Sequence, residues 1–284
     1  MHAILAFSLL LNTANPLPAG KSVVDVEFGD VPLRLYTYKP QDYVNGPLIM
    51  VFHGVLRNAE EYRDDSIEMA DRLGAMIVAP LFDDVQFPKR KYQFGGILQD
   101  GQAAPREEWT GEYVNRIVKE IRRREGRPDL PLYLIGHSGG GQFLVRLAGF
   151  IQTDAKRIVA ANSGTYLFPT READFPFGLG GLPEELQTDE HLKAYLAQPL
   201  TFYLGSNDTE RDEYLDIFPA ADAQGNVRFE RGKNAFAAGK KLASERRWPF
   251  GWKLVVAEGI EHDHTKMFNH AQCAIALGLE ERKR

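Results

Sequence analysis

Leu132-Tyr133-Leu134-Ile135-Gly136-His137-Ser138-Gly139-Gly140-Gly141 is the stretch that decides the fold of this 284-residue chain. Leu132 to Ile135 make a short, mostly apolar run of the kind buried as a strand. Gly136-x-Ser138-x-Gly140 then turns the chain into an amphipathic run over residues 142–151, which reads as a helix. Strand, Gly-x-Ser-x-Gly and helix in that order make a nucleophile elbow, whose strained backbone lifts one serine oxygen above a sheet edge. The glycines answer a steric need, because a Cβ on either side of that residue would clash. The helix behind it points free N–H groups and the positive end of its dipole at Ser138, which suits an oxygen that becomes negative during reaction. Glycine and serine are common in loops; the strand before and the helix after single out Ser138 as a candidate nucleophile.

Outward from the elbow, residues 22–28 and 33–38 alternate around Gly29-Asp30-Val31-Pro32 and read as a hairpin. Residues 48–52, 75–79, 157–161, 200–204 and 253–257 are further apolar strands, and such continuous runs mark strands covered on both faces. Helical runs fall at 59–73, 105–124, 188–197, 232–247 and 265–277. The pattern predicts an α/β fold: a mostly parallel sheet of about eight strands with helices on both faces, opened by an antiparallel hairpin. One domain then spans 21–284, with a small insertion at 167–198, after the sixth strand, lying over the active site. Residues 81–104 show little periodicity, and loops of that length are usually functional or mobile.

In such a sheet ligands collect beyond the carboxyl ends of the strands, and the chemistry-bearing residues here each follow a strand. A serine hydroxyl needs a base. Of seven histidines, His2 lies near the start, His53 ends the third strand, His191 falls in the insertion and His137 sits inside the elbow. The loop Glu258-Gly259-Ile260-Glu261-His262-Asp263-His264 follows the last strand, which makes His262 the expected base; His264 is its nearest rival, otherwise a solvated loop residue. Asp208, just after residues 200–204, is the expected acid that holds the imidazole. Asp212 and Asp216 are the alternatives, otherwise surface charge. Oxyanion donors are expected at the N–H groups of Gly139 and Val55, with Gly54 letting the chain bend closely. Tyr92, Tyr166 and His137 are the candidate substrate contacts, with Phe94, Phe168, Phe175 and Phe177 as further candidates for a cleft wall. His262-x-His264 and His270 lack the companions of a zinc motif, so no metal and no cofactor are expected.

Composition narrows the partners. A net charge of −5 gives no nucleic-acid footprint. Arg122-Arg123-Arg124 ends a helical run, where it complements the helix dipole. A single cysteine, Cys273, excludes an intramolecular disulfide and reads as core. Residues 1–11 are apolar but too short to span a bilayer, so no stable membrane insertion is expected. They resemble a secretory h-region with an exit near residue 20, favouring export over a cytoplasmic extension, although no basic residue precedes them. Oligomeric state is not readable.

With these residues in place, the chain resembles the α/β-hydrolase superfamily over residues 23–279. Phe52-His53-Gly54-Val55 and Gly259-Ile260-Glu261-His262-Asp263 are similar to the polyhydroxybutyrate depolymerase and feruloyl-esterase-like branch. The resemblance implies an eight-stranded sheet, no cofactor, and hydrolysis of small or oligomeric carboxylic esters through an acyl-enzyme. By position it implies Ser138 as nucleophile, Asp208 as acid and His262 as base. The chain departs from secreted polymer-degrading members in lacking disulfide cysteines and a separate polymer-binding domain. A peptidase, an acyltransferase or a non-catalytic binding protein on the same fold are the alternatives.

Overall fold

The computed structural model describes residues 15–282. The strands are β1 (Gly20–Phe28), β2 (Val31–Lys39), β3 (Leu48–Phe52), β4 (Met76–Pro80), β5 (Leu98–Gln99), β6 (Gln102–Ala103), β7 (Leu132–His137), β8 (Arg157–Ala161), β9 (Leu200–Gly205) and β10 (Lys253–Ala257). Apart from the two-residue ladder β5–β6, they form one eight-stranded sheet in the order β1-β2-β4-β3-β7-β8-β9-β10. β1–β2 and β2–β4 are antiparallel, and the other five pairings are parallel. The helices are α1 (Ala59–Asp65), α2 (Ile67–Leu73), α3 (Thr110–Glu125), α4 (Gly139–Phe150), α5 (Asp189–Ala197), α6 (Pro219–Asp222), α7 (Arg228–Arg246), α8 (His264–Asn269) and α9 (Gln272–Leu277).

Alternate residues of each central strand feed two cores. Ile49, Val51, Ile77, Val159 and Tyr203 pack with Met69, Phe268 and Leu277 from α2, α8 and α9. Leu48, Met50, Phe52, Leu134 and Phe202 pack with Ile117 and Phe143 from α3 and α4. Burial on both faces explains why β3 and β4 read as unbroken apolar runs.

Three helical runs are interrupted. The run 59–73 breaks at Ser66 (φ −94°, ψ 1°), whose hydroxyl donates back to the Arg63 carbonyl at 3.0 Å and competes with the helix backbone. The run 265–277 breaks at His270, which is extended at φ −70°, ψ 144°. In 105–124, Trp109 is extended ahead of α3, and its indole N–H donates to the Ala104 carbonyl at 2.8 Å rather than riding the helix face. Gly74 and Gly126 close α2 and α3 in the left-handed conformation. Arg122 to Arg124 occupy the last turn of α3, where Arg123 and Arg124 pair with Glu120.

The segment 81–104 is packed rather than loose: Phe82, Phe87, Tyr92 and Ile97 are core residues. The insertion is tied within itself by Tyr195, which donates to the Leu167 carbonyl at 2.9 Å, and to α4 by Arg146, which donates to the Pro176 carbonyl at 2.8 Å. Cys273 is buried beside Met69, and burial raises its thiol to about 12. The apolar run 1–11 lies outside the described residues, but the boundary expected near residue 20 falls inside the packed body. Leu17 is core, its N–H donates to Glu125 at 2.8 Å, and its carbonyl accepts from Lys39 at 3.1 Å. Among the described residues no helix is long and apolar enough to cross a membrane.

Candidate active site

The chain segments that leave β3, β7, β9 and β10 meet at one end of the parallel strands, around a cleft of about 720 Å³. Gly54, Val55 and Leu56 line it from the loop after β3, Tyr62 from α1, and His137 and Ser138 from the elbow; Glu210, Asp212, Glu213 and Tyr214 after β9 and Glu261, His262 and His264 after β10 close it. Ser138 sits between β7 and α4 at φ 54°, ψ −116°. A residue with a Cβ in that region carries on the order of 1–3 kcal/mol of strain, held by its surroundings. Those surroundings need glycine: a Cβ on Gly136 would lie 2.5 Å from the Gly140 carbonyl oxygen, and one on Gly140 would strike the carbonyl of Phe52.

His262 faces the same cleft, and its Nδ1 is 2.9 Å from Asp208 Oδ2. The carboxylate is buried, its side chain 1% exposed, while the imidazole is 22% exposed. A buried carboxylate fixes the tautomer and the orientation of an imidazole. Arg228 at the start of α7 reaches the other carboxylate oxygen at 3.5 Å and forks onto Asp212 with two bonds of 2.7 Å. Asp212 is therefore part of a buried ion network and lines the cleft, instead of being free surface charge. Asp216 pairs with Lys89 at 2.7 Å. Asn162, at φ 43° just after β8, ties the two loops together: its Oδ1 accepts from Gly205 N–H at 2.7 Å, and its Nδ2 donates to the Glu261 carbonyl at 3.0 Å.

Next to His262, Tyr62 Oη lies 3.2 Å from His137 Nδ1. His137 is 2% exposed, and desolvation holds its pKa well below the usual imidazole range, followed by the nearby His262 and His264. Its Nε2 has no partner among the described residues. His264 is not a solvated loop residue. Its ring stacks on Tyr62 at 4.0 Å, and its Nε2 is 2.7 Å from Asp65 Oδ2. Glu61, Asp65 and His264 place ligand-type atoms within 4.8 Å of one another, although two of these groups already bond each other.

His53 turns inward. It is fully buried, Nδ1–H donates to the Gly54 carbonyl at 2.9 Å, and Nε2 accepts from Phe82 N–H at 3.1 Å. Burial drives its pKa down to about 3. This neutral imidazole anchors the loop that carries Val55. Val55 lines the cleft, and its nitrogen lies 3.2 Å from where a Gly139 Cβ would stand, so the two backbone N–H groups are neighbours beside Ser138.

Two expected substrate contacts are core residues instead. Tyr92 is 0% exposed, stacks on Phe82 and Phe143, and donates its hydroxyl to the His53 carbonyl at 2.8 Å. Tyr166 is 0% exposed and stacks on Phe202, with its backbone clasped by the Gln224 amide. No residue of 167–198 lines the cleft, nor do Phe94 and its neighbours in 81–104; the segment after β9 does so. Tyr92 packs in the core with Phe143 of α4, Phe168 and Phe175 pack against that core, and Phe177 packs on Phe218, so burial outweighs exposure at a cleft wall. His137, the third expected contact, is at the cleft.

No family model and no curated protein matches the chain. Solved structures do. The LpqC poly(3-hydroxybutyrate) depolymerase from Bordetella parapertussis is 36% identical over 93% of this chain and 91% of its own, with a TM-score of 0.85. The chain belongs to the α/β-hydrolase superfamily. Poly(aspartic acid) hydrolase-1 from Sphingomonas sp. KT-1 is 34% identical over 90% of this chain and 98% of its own, with a TM-score of 0.84. The S-formylglutathione hydrolase from Agrobacterium tumefaciens, at 13% identity and a TM-score of 0.56, shares the fold alone. The depolymerase branch anticipated from the His53-Gly54 and His262 loops is thus represented among the similar structures, and this α/β hydrolase stands among hydrolases.

Arg228, Asn162, Tyr62 and Asp65 carry no motif that marks them in the sequence. Arg228 lies ahead of the expected start of its helix, and nothing in a one-dimensional pattern distinguishes a buried arginine from a solvated one.

Proposed function

We propose that this α/β hydrolase is a serine esterase that cleaves carboxylic esters of small or oligomeric substrates through an acyl-enzyme. Ser138 attacks the carbonyl, His262 takes its proton and returns it to the leaving alcohol, and Asp208 stabilises the imidazolium. The N–H groups of Val55 and Gly139 receive the developing oxyanion. Water, activated by His262, then releases the acid. The observation that carries this reading is the 2.9 Å bond between buried Asp208 and His262, opening onto the cleft that also holds strained Ser138. The named activity of the 36% identical depolymerase, which acts on a polyester, supports an ester over other acyl substrates. The apolar run at residues 1–11 supports export of the enzyme. Changing Ser138 to Ala is expected to abolish hydrolysis of p-nitrophenyl esters while leaving thermal unfolding nearly unchanged. Persistent turnover in that variant would refute the assignment.

A further inference from the structure

The geometry points to a substrate charge class: we propose that the cleft favours esters bearing an ammonium or guanidinium group and disfavours polyanionic ones. This rests on the esterase reading above. Five carboxylates line the cleft (Glu61, Glu210, Asp212, Glu213 and Glu261), and no lysine or arginine does. Asp212 is neutralised by Arg228 at 2.7 Å and Glu261 by Lys266 at 3.0 Å. Glu61 has the Asn58 amide at 2.7 Å and, like Glu210 and Glu213, no basic partner within the cleft lining. Basic groups on adjoining segments are engaged elsewhere. Lys89 holds Asp216, Arg211 holds Asp222, and Arg57 donates to the carbonyls of Phe82 and Phe87.

A second feature lies beside the reacting groups. His137 is 2% exposed and lines the same cleft, with Nε2 left without a partner among the described residues. A polar atom left without a bond costs about 1–3 kcal/mol, which a ligand group removes if it displaces the side chains that cover the atom. Its ring lies 4.5 Å from that of His262, which puts this unpartnered imidazole next to the reacting groups. Tyr214, 49% exposed, adds an aromatic ring to the carboxylate-rich wall, a pairing suited to a cation. A cleft lined by one sign of charge concentrates the opposite sign and repels its own. The 34% identical relative is named for hydrolysis of poly(aspartic acid), a polyanion, and the wall of this cleft opposes that charge.

The test uses the full-length protein and p-nitrophenyl esters of three acids of equal chain length, ending in a methyl, a trimethylammonium or a carboxylate group. At about 0.01 M salt, kcat/KM for the cationic ester is expected to exceed that for the anionic one by about ten-fold, chiefly through KM. At about 1 M salt, where the Debye length falls from about 30 Å to about 3 Å, the ratio is expected to approach one. The triple variant Glu61→Gln, Glu210→Gln, Glu213→Gln is expected to lower the low-salt ratio by at least about three-fold. The salt series on the unmodified protein decides even if that variant folds poorly. Equal or better use of the anionic ester at low salt overturns the charge preference, as does a ratio that ignores salt. Turnover of the methyl ester that disappears in Ser138→Ala reads the esterase chemistry separately; if none of the three esters is cleaved, that chemistry and the preference built on it both fall.

Discussion

His53 makes stability depend on pH in a way that can be calculated. In the unfolded chain an imidazole takes up a proton below about pH 6.5. In the folded protein burial keeps His53 neutral down to about 3: desolvation opposes the charge, the nearby Arg57 adds to that, and a proton on Nε2 would break the bond it accepts from Phe82 N–H, which together outweigh the bond from Nδ1 to the Gly54 carbonyl. The unfolded state therefore binds one more proton across that window, and stability falls as pH drops through it. The loss approaches about 1.4 kcal/mol per pH unit and reaches about 2 kcal/mol by pH 5, with almost no change above pH 7. His137 and His191, both shifted down by desolvation, act in the same direction. The assay is urea unfolding between pH 7.5 and pH 5 for the wild type and for His53→Gln. The variant loses the titrating group and about 1–3 kcal/mol from its disturbed hydrogen bonds at every pH. The informative quantity is the difference between the two proteins, expected to shrink by about 2 kcal/mol across the range. A pH-independent difference, or a native His53 resonance titrating near pH 6.5, would refute the linkage.

Further outcomes follow from the site. His262→Ala is expected to reduce kcat/KM by on the order of 10⁴-fold, and His264→Ala by about ten-fold or less, measured on one p-nitrophenyl ester; the reverse ranking would transfer the base to His264. Arg228→Met leaves Asp208 without a nearby cation, so unfolding in urea should show a loss of about 3 kcal/mol or more. The same change frees the buried Asp208 carboxylate from its cationic neighbour, so the placement of His262 should loosen and kcat/KM should fall, chiefly through kcat. An unchanged kcat would mean that Arg228 supports Asp212 alone.

The fold was legible because its decisive signals are local. Unbroken apolar runs identify β3 and β4, and a glycine pattern between strand and helix identifies the elbow. Local patterning failed where a side chain competes with its own backbone, as at Ser66, or where an extended residue interrupts a run, as at Trp109 and His270. It also failed for Tyr92 and Tyr166, because an aromatic in a loop has the same sequence appearance whether it faces a cleft or packs into the core. The polar network escaped for a similar reason. Arg228, Asn162 and the Tyr62–His264–Asp65 group act across separations of up to about 200 residues, and no spacing rule reports such partners.

Fluorophosphonate labelling followed by peptide mapping tests the central claim most directly. A single adduct on Ser138, suppressed by His262→Ala and competed by ester substrate, is the predicted result. An adduct confined to another residue, or full ester turnover by protein that never labels at Ser138, would contradict it.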